Sequence, residues 1–219
     1  YDGDYFILRA EWEDTTETIL KESWLWDGSA WTQSEEDEDR LMITFPIGNN
    51  AEFASKGCGA ACHFNEDKTS AWMASDSEDV TYDNWHWKSA RTNATGYADD
   101  QWWGVKAEDE DTGRKNDAKD SGGYANNATE DGSGPAFMSS EGTSASFIFK
   151  GKEIPIDTAA LKVGDRIPGF VIEPAVGSRG DVAAVGTWQD GKWVLVMRRA
   201  LNTGYDDDVE FIPGKPLPF

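Results

Sequence analysis

The sequence predicts an all-β protein, an antiparallel β-sandwich with long loops and one or two short helices. Two observations favour this class: short apolar and aromatic runs recur along the chain, and Gly, Pro and Asp-Gly turn signals separate them. Long stretches of helical periodicity do not alternate with these runs, which argues against a parallel α/β sheet. The length of 219 residues predicts a single domain over residues 1–219.

The individual strands follow from local composition. Residues 5–12 form an aromatic and β-branched run that a polar segment closes. Asp27-Gly28 and Asp190-Gly191 each lie between two such runs, and an Asp-Gly pair is typical of a tight hairpin turn. Further strands are predicted at residues 40–45, 146–149, 170–172 and 209–212, and one short helix at residues 80–91.

Residues 99–141 are rich in Gly, Asn, Asp and Ser, and the composition predicts one long loop inserted in the domain. Loops of this length in compact domains are usually functional or mobile. We therefore expect this insertion to wrap a ligand or to carry surface chemistry.

The charge balance excludes some classes of function. Asp and Glu total 41 against 20 Lys and Arg, a formal net charge of -21 that repels nucleic acids and anionic membranes. No apolar run is long enough to span a bilayer, and the chain begins at Tyr1 without a leader, which predicts a mature, processed protein. The acidity suits a high-salt habitat and partners that present a basic face.

The most informative motif contains both cysteines of the chain, Cys58 and Cys62, with His63 directly after them. Two thiols followed by an imidazole are the groups that attach a c-type haem: the thiols form thioethers with the porphyrin vinyl groups, and the imidazole binds the iron. The usual spacing has two residues between the cysteines, and here there are three small ones. The motif predicts one covalent haem c.

Two alternatives remain open for these residues. Cys58 and Cys62 could form a disulfide that closes a small loop. Together with His63 and His86, they could also make a Cys2His2 zinc set, which would indicate a zinc-stabilised binding module without redox chemistry.

The second axial position of a six-coordinate haem needs another ligand. His86 is the other histidine of the chain, and we predict that His63 and His86 are the two iron ligands. Trp85 and Trp87 flank His86 and are predicted to wall the haem pocket, with Trp102 or Trp103 as further walls. The alternative candidates for the distal position are Met138, Met73, Lys88 and Lys152.

Four segments resemble the ethylbenzene dehydrogenase-related haem-binding domain family. They are residues 5–16, the strand at 41–46, Trp85-x-Trp87-Lys88-x-x-Arg91, and Gly186-x-Trp188-x-x-Gly191-x-Trp193. The resemblance implies a β-sandwich that holds haem between loops at one end. The family includes γ subunits of molybdenum enzymes of the dimethyl sulfoxide reductase type, which bind b-type haem through Met and Lys. The cysteines and His63 make this chain more similar to the c-type cytochromes of the family.

We therefore expect a monohaem c-type cytochrome that carries single electrons between redox protein partners outside the cytoplasm. It is not expected to be an enzyme, because the chain has no nucleophile motif and no third histidine to act as a base. One alternative is the haem-bearing electron-transfer subunit of a molybdenum enzyme. Another is a cytochrome that assembles into oligomers or filaments through an open sheet edge.

Other polar features have simpler interpretations. The acidic runs at residues 35–39 and 206–208 do not match a calcium-binding loop, and we expect solvated turns without a metal. Asn93 and Asn127 match the N-glycosylation acceptor pattern, which would apply to an exported protein.

Overall fold

The structure is a computed structural model that describes residues 1–48, 50–62 and 72–219, with the backbone alone for Cys62. The strands in the described ranges are β1 (Tyr5–Glu13), β2 (Trp24–Trp26), β3 (Trp31–Gln33), β4 (Arg40–Ile47), β5 (Thr81–Lys88), β6 (Tyr97–Trp103), β7 (Arg114–Asn116), β8 (Ser121–Asn126), β9 (Met138–Ser139), β10 (Ile148–Phe149), β11 (Glu153–Ile154), β12 (Arg166–Ile167), β13 (Phe170–Val176), β14 (Val182–Gln189) and β15 (Lys192–Ala200). The α-helices described are α1 (Ala51–Lys56) and α2 (Gly59–Cys62). Single 3-10 turns lie at Asn93–Thr95, Thr158–Ala160 and Ser178–Gly180.

A seven-stranded sheet dominates the fold, in the order β1-β15-β14-β6-β5-β4, with β7 also paired to β6. All of its pairings are antiparallel, and the sheet curls. Three small sheets accompany it: β10-β13-β8, β11-β9 and β12-β2-β3. The prediction of an antiparallel all-β fold is confirmed.

One face of the main sheet carries the largest apolar core. Trp87 and Trp193 pack edge to face there, with ring centroids 4.9 Å apart. Strand β1 turns every second residue towards this core, and its Phe6 stacks on Phe211 of the C-terminal segment at 4.2 Å. The strand period of two therefore produces the buried face that the sequence pattern predicts.

Both predicted hairpins form. Asp190 and Gly191 have φ of 53° and 78°, and two positive φ values match the twist of a two-residue turn between β14 and β15. In the first hairpin, Asp27 accepts hydrogen bonds from the backbone N–H groups of Ser29 and Ala30, at 2.7 Å each. Strand β1 also lies where it is predicted.

The helix predicted at residues 80–91 is wrong, because residues 81–88 form the central strand β5. Polar and aromatic side chains alternate along this segment, and both sets are buried. A strand with two buried faces does not show the usual apolar and polar alternation, which hides its period of two.

Two other expectations also need correction. The long loop predicted at residues 99–141 is interrupted by the end of β6 and by β7, β8 and β9. The strand predicted at residues 209–212 does not form a ladder, although Phe211 N–H donates to Leu201 O at 2.8 Å. In both cases long-range packing overrides local composition.

Candidate functional site

The two cysteine positions lie on a short helical segment that packs against the main sheet. Cys58 stands between α1 and α2, and Cys62 is the last residue of α2. The side chain of Asn50 caps α1 by accepting from Phe53 N–H at 2.9 Å, and it also donates to the hydroxyl of Tyr82 at 3.0 Å. This pair of bonds ties the start of the helical segment to β5.

The sheet face under these helices is called the histidine face. Its members come from β4, β5 and β6 and are related by direct cross-strand pairing, which places side chains on the same side. They are Met42, Tyr82, Asn84, His86, Gln101 and Trp103.

Apolar contacts seat the helices at one end of the histidine face. Phe53 of α1 and Ala61 of α2 are buried in one cluster with Tyr82 and Trp103, and Met42 packs against that cluster. The rings of Phe53 and Tyr82 lie 5.3 Å apart. His86 is four residues further along β5, roughly 13 Å at the usual strand rise. The cysteine segment and His86 therefore share one side of the sheet.

The environment of His86 keeps its imidazole neutral. Burial lowers the pKa of His86 to about 2, and the charges of Lys88 and Arg114 act in the same direction. The ring Nδ1 lies 3.3 Å from Oε1 of Gln101, an oxygen that can only accept, and this contact favours the tautomer with the proton on Nδ1. The lone pair is then on Nε2. A neutral imidazole held through its other nitrogen is the form that binds metals.

Two further residues on this side of the sheet have unusual local features. Trp103 Nε1 is a buried donor without an acceptor among the described residues, and haem propionates are acceptors. Met73, a predicted alternative ligand, packs against the same cluster and has a φ of 43°, a strained value for a non-glycine residue. Met42 lies directly opposite His86 and was missed from the sequence, because β4 reads simply as a core strand.

The structure separates Trp85 and Trp87 from His86. Adjacent residues on a strand point to opposite faces, and both indoles lie in the large apolar core on the other side. Trp87 Nε1 donates to Asn93 there, at 3.0 Å. These two side chains therefore do not share a pocket with His86. Trp102 also points away from the histidine face, and Trp103 is the tryptophan that lies on it.

Lys88 is another predicted candidate for the distal haem position. It is part of a buried ion network at the other end of the histidine face. Its Nζ pairs with Asp99 and donates to the Tyr124 hydroxyl at 2.9 Å, while Arg179 Nε donates to Asp99 at 2.8 Å. Burial lowers the pKa of Lys88 to about 8, against the opposing charge of Asp99. Although burial raises it, the charges of Lys88 and Arg179 hold the pKa of Asp99 below its usual value. Lys88 is protonated and paired at neutral pH.

The remaining candidates lie elsewhere. Met138 packs in a separate cluster with Trp24, and Lys152 is exposed in a turn. Cys58 is exposed, so its sulfur is accessible for covalent chemistry. His63 lies outside the described residues, and so does the side chain of Cys62. The predicted haem, zinc and disulfide arrangements that involve them stay predictions.

The two asparagines that match the glycosylation pattern form hydrogen bonds within the fold. Asn127 is buried, and its side chain bonds the backbone of Phe137 and Pro168. The side chain of Asn93 joins Trp87 to Gly186. A glycan on Asn127 would replace one of the two Nδ2 hydrogens that form these bonds, whereas Asn93 donates with one Nδ2 hydrogen and keeps a second.

Comparison with known proteins decides the family. The ethylbenzene dehydrogenase family model matches residues 1–219. The chain belongs to the ethylbenzene dehydrogenase family. This match confirms the resemblance found in the sequence. The family is linked to haem and to partner subunits of molybdenum enzymes. A search of curated proteins and a search of solved structures each gave no match.

No helix in the described residues is long and apolar enough to cross a membrane.

Replacing Asp99 with Asn is expected to destabilise the fold by about 3–5 kcal/mol, because Lys88 and Arg179 would keep buried charges without a counter-charge. The free energy of unfolding in urea measures this. The control is Asp37→Asn, which removes a half-exposed partner of Lys21 and Arg40 and should cost under about 1 kcal/mol. Equal losses for the two variants would mean that the buried network does not have the stabilising role described.

Proposed function

We propose that this protein is a haem-carrying electron-transfer subunit that serves a molybdenum enzyme. Membership in the ethylbenzene dehydrogenase family supports the general role. The observation that carries the proposal is the position of His86: a buried, neutral imidazole on the sheet face against which the cysteine segment packs. The Gln101 hydrogen bond satisfies one nitrogen of this imidazole, so the other nitrogen is the one that would bind iron.

The chain's own residues favour covalent attachment. In this proposal Cys58 and Cys62 bind the porphyrin through thioethers, and His63 and His86 bind the iron. The family's γ subunits use Met and Lys instead. Here Lys88 forms a buried ion pair with Asp99, which supports a histidine in the distal position.

The haem would supply reversible one-electron transfer. The surrounding residues would set its properties: Gln101 orients His86 through Nδ1, and the face excludes water. The positive charge of Arg114 acts on His86 and would disfavour the extra positive charge of ferric iron, which would raise the reduction potential, whereas the charge of Lys88 is offset by Asp99. Two histidine ligands leave no open position for a substrate, so the proposed role is electron transfer and not catalysis.

Covalent haem attachment takes place outside the cytoplasm, so the proposal includes an extracytoplasmic location. The formal charge of -21 is consistent with a partner that presents a basic face.

The second candidate is a free-standing monohaem c-type cytochrome, which the Cys58-x3-Cys62-His63 spacing favours. Affinity purification from the native host separates the two. The subunit role predicts that a large molybdenum-containing chain elutes with this protein in constant ratio and resists moderate salt. Elution as a single haem protein at all salt concentrations would favour the free cytochrome.

Covalent attachment is tested by a denaturing gel stained for haem. We expect the stain to remain with the wild-type chain and to be lost from the double variant Cys58→Ser, Cys62→Ser, because serine forms no thioether. Haem that migrates away from the wild-type chain would show b-type binding and would contradict the attachment.

His86→Ala is expected to abolish the low-spin ferric spectrum, because the iron loses its distal ligand. His86→Met keeps a ligand and should retain the low-spin spectrum at a higher reduction potential. Met138→Leu, in the separate cluster, serves as the control and should leave both readouts unchanged. An unchanged spectrum in His86→Ala would remove His86 as the ligand and would favour Met42 or Met73.

A further inference from the structure

A second group of polar residues lies away from the histidine face. Six aspartates from β5, β6 and four connecting positions interact around the single guanidinium of Arg199. They are Asp83, Asp100, Asp117, Asp181, Asp207 and Asp208. Asp83 and Asp100 project from the face opposite His86.

Arg199 pairs with the inner part of this group, which is Asp83 and Asp100. Its Nη1 lies 2.7 Å from an oxygen of Asp83 and 3.0 Å from one of Asp100, and its Nη2 donates to Val209 O at 2.7 Å. Asp208 is further away, at 3.4 Å from Nη1. One cation therefore compensates two carboxylates well and the third weakly.

The outer part of the group consists of Asp117, Asp207 and Asp208. One ligand atom from each of Asp117, Asp207 and Asp208 lies within 4.8 Å of the others. Among the residues that the structure describes, no Lys or Arg forms a salt bridge with Asp117 or Asp207. Oxygens from three carboxylates thus converge on one small volume.

Unpaired oxygens point to an absent ligand. Asp208 is only 8% exposed; its Oδ1 has the long ion pair with Arg199, at 3.4 Å, and its Oδ2 accepts no hydrogen bond from the residues that the structure describes. Asp117 is 4% exposed; its Oδ2 accepts from the Ser178 hydroxyl at 2.9 Å, while its Oδ1 has no hydrogen-bond partner in the described part of the chain. Buried carboxylate oxygens without partners are costly unless a cation or a proton neutralises them.

The electrostatics of the cluster are consistent with a missing cation. Burial raises the pKa of Asp117 to about 8, and the charges of Asp207 and Asp208 add to the shift. Burial also raises the pKa of Asp208, against the opposing charge of Arg199. Without a cation, these carboxylates ionise only at a large cost.

We propose that Asp117, Asp207 and Asp208 bind a calcium ion. Calcium takes several carboxylate ligands in flexible geometry, whereas magnesium usually keeps most of its water and uses one or two carboxylates. The expectation of a solvated turn at residues 206–208 is wrong for Asp208, which is buried.

Such an ion would join two distant parts of the chain. Asp117 follows β7, while Asp207 and Asp208 precede Val209 and Phe211, which enter the large core. Calcium would hold the C-terminal segment against the sheet, so its binding free energy would add to the stability of the fold.

The full chain, purified in chelator, tests the proposal by thermal unfolding and calorimetric titration with CaCl2. We expect one calcium per chain and a rise in Tm of about 5–10 °C at calcium concentrations a hundredfold above Kd. MgCl2 at the same concentration should give a much smaller rise. The haem spectrum should not change, so this test is independent of the proposed electron-transfer role.

Asp117→Asn and Asp207→Asn should each lose the calcium response. Asn removes the charge but keeps the size, and in chelator these variants should be at least as stable as the wild type, because a repelling charge is gone. The matched control is Asp206→Asn, an exposed neighbour that should keep the full response. No calcium binding by the wild type, or equal loss in Asp206→Asn, would overturn the site, since the second result would indicate only diffuse attraction to an acidic surface.

Discussion

The rest of the structure depends on strand β5 being buried on both faces. Its even-numbered positions place Tyr82, Asn84 and His86 on the histidine face, and its odd-numbered positions place Asp83 and Trp85 on the opposite face. A shift of one residue in its pairing would exchange the two sets, because side chains alternate strictly along a strand. Eight pairs with β4 and five with β6 hold the register.

This register separates two kinds of chemistry. On the histidine face, burial keeps an imidazole neutral, and the charges of Lys88, Asp99 and Arg179 neutralise one another nearby. On the other face, Arg199 compensates only part of an acidic group. Buried ion pairs of this kind contribute little net stability but make their own disruption costly, so they specify one arrangement of the strands.

The parts of the fold that local sequence signals encode could be predicted from the sequence. Asp190-Gly191 specifies its own turn, and β1 shows its period of two. The sequence predicts a helix at residues 80–91, whereas residues 81–88 form a strand whose two buried faces hide its period of two. The burial of Asp208 depends on partners from distant segments. The Cys58, Cys62 and His63 motif is recognisable from the sequence alone because its three residues lie close together in the chain. The sequence alone did not predict that Trp85 and His86 lie on opposite faces, because that follows only from the pairing of β5 in the sheet.

The most direct measurement for the central claim is the pyridine haemochrome spectrum of the full-length protein, purified from a host that attaches c-type haem. It quantifies haem per chain and distinguishes porphyrins with two thioethers from those with free vinyl groups. One haem per chain with both vinyl groups converted is expected if Cys58 and Cys62 attach it above the histidine face. A properly folded protein without haem would contradict the proposed electron-transfer role.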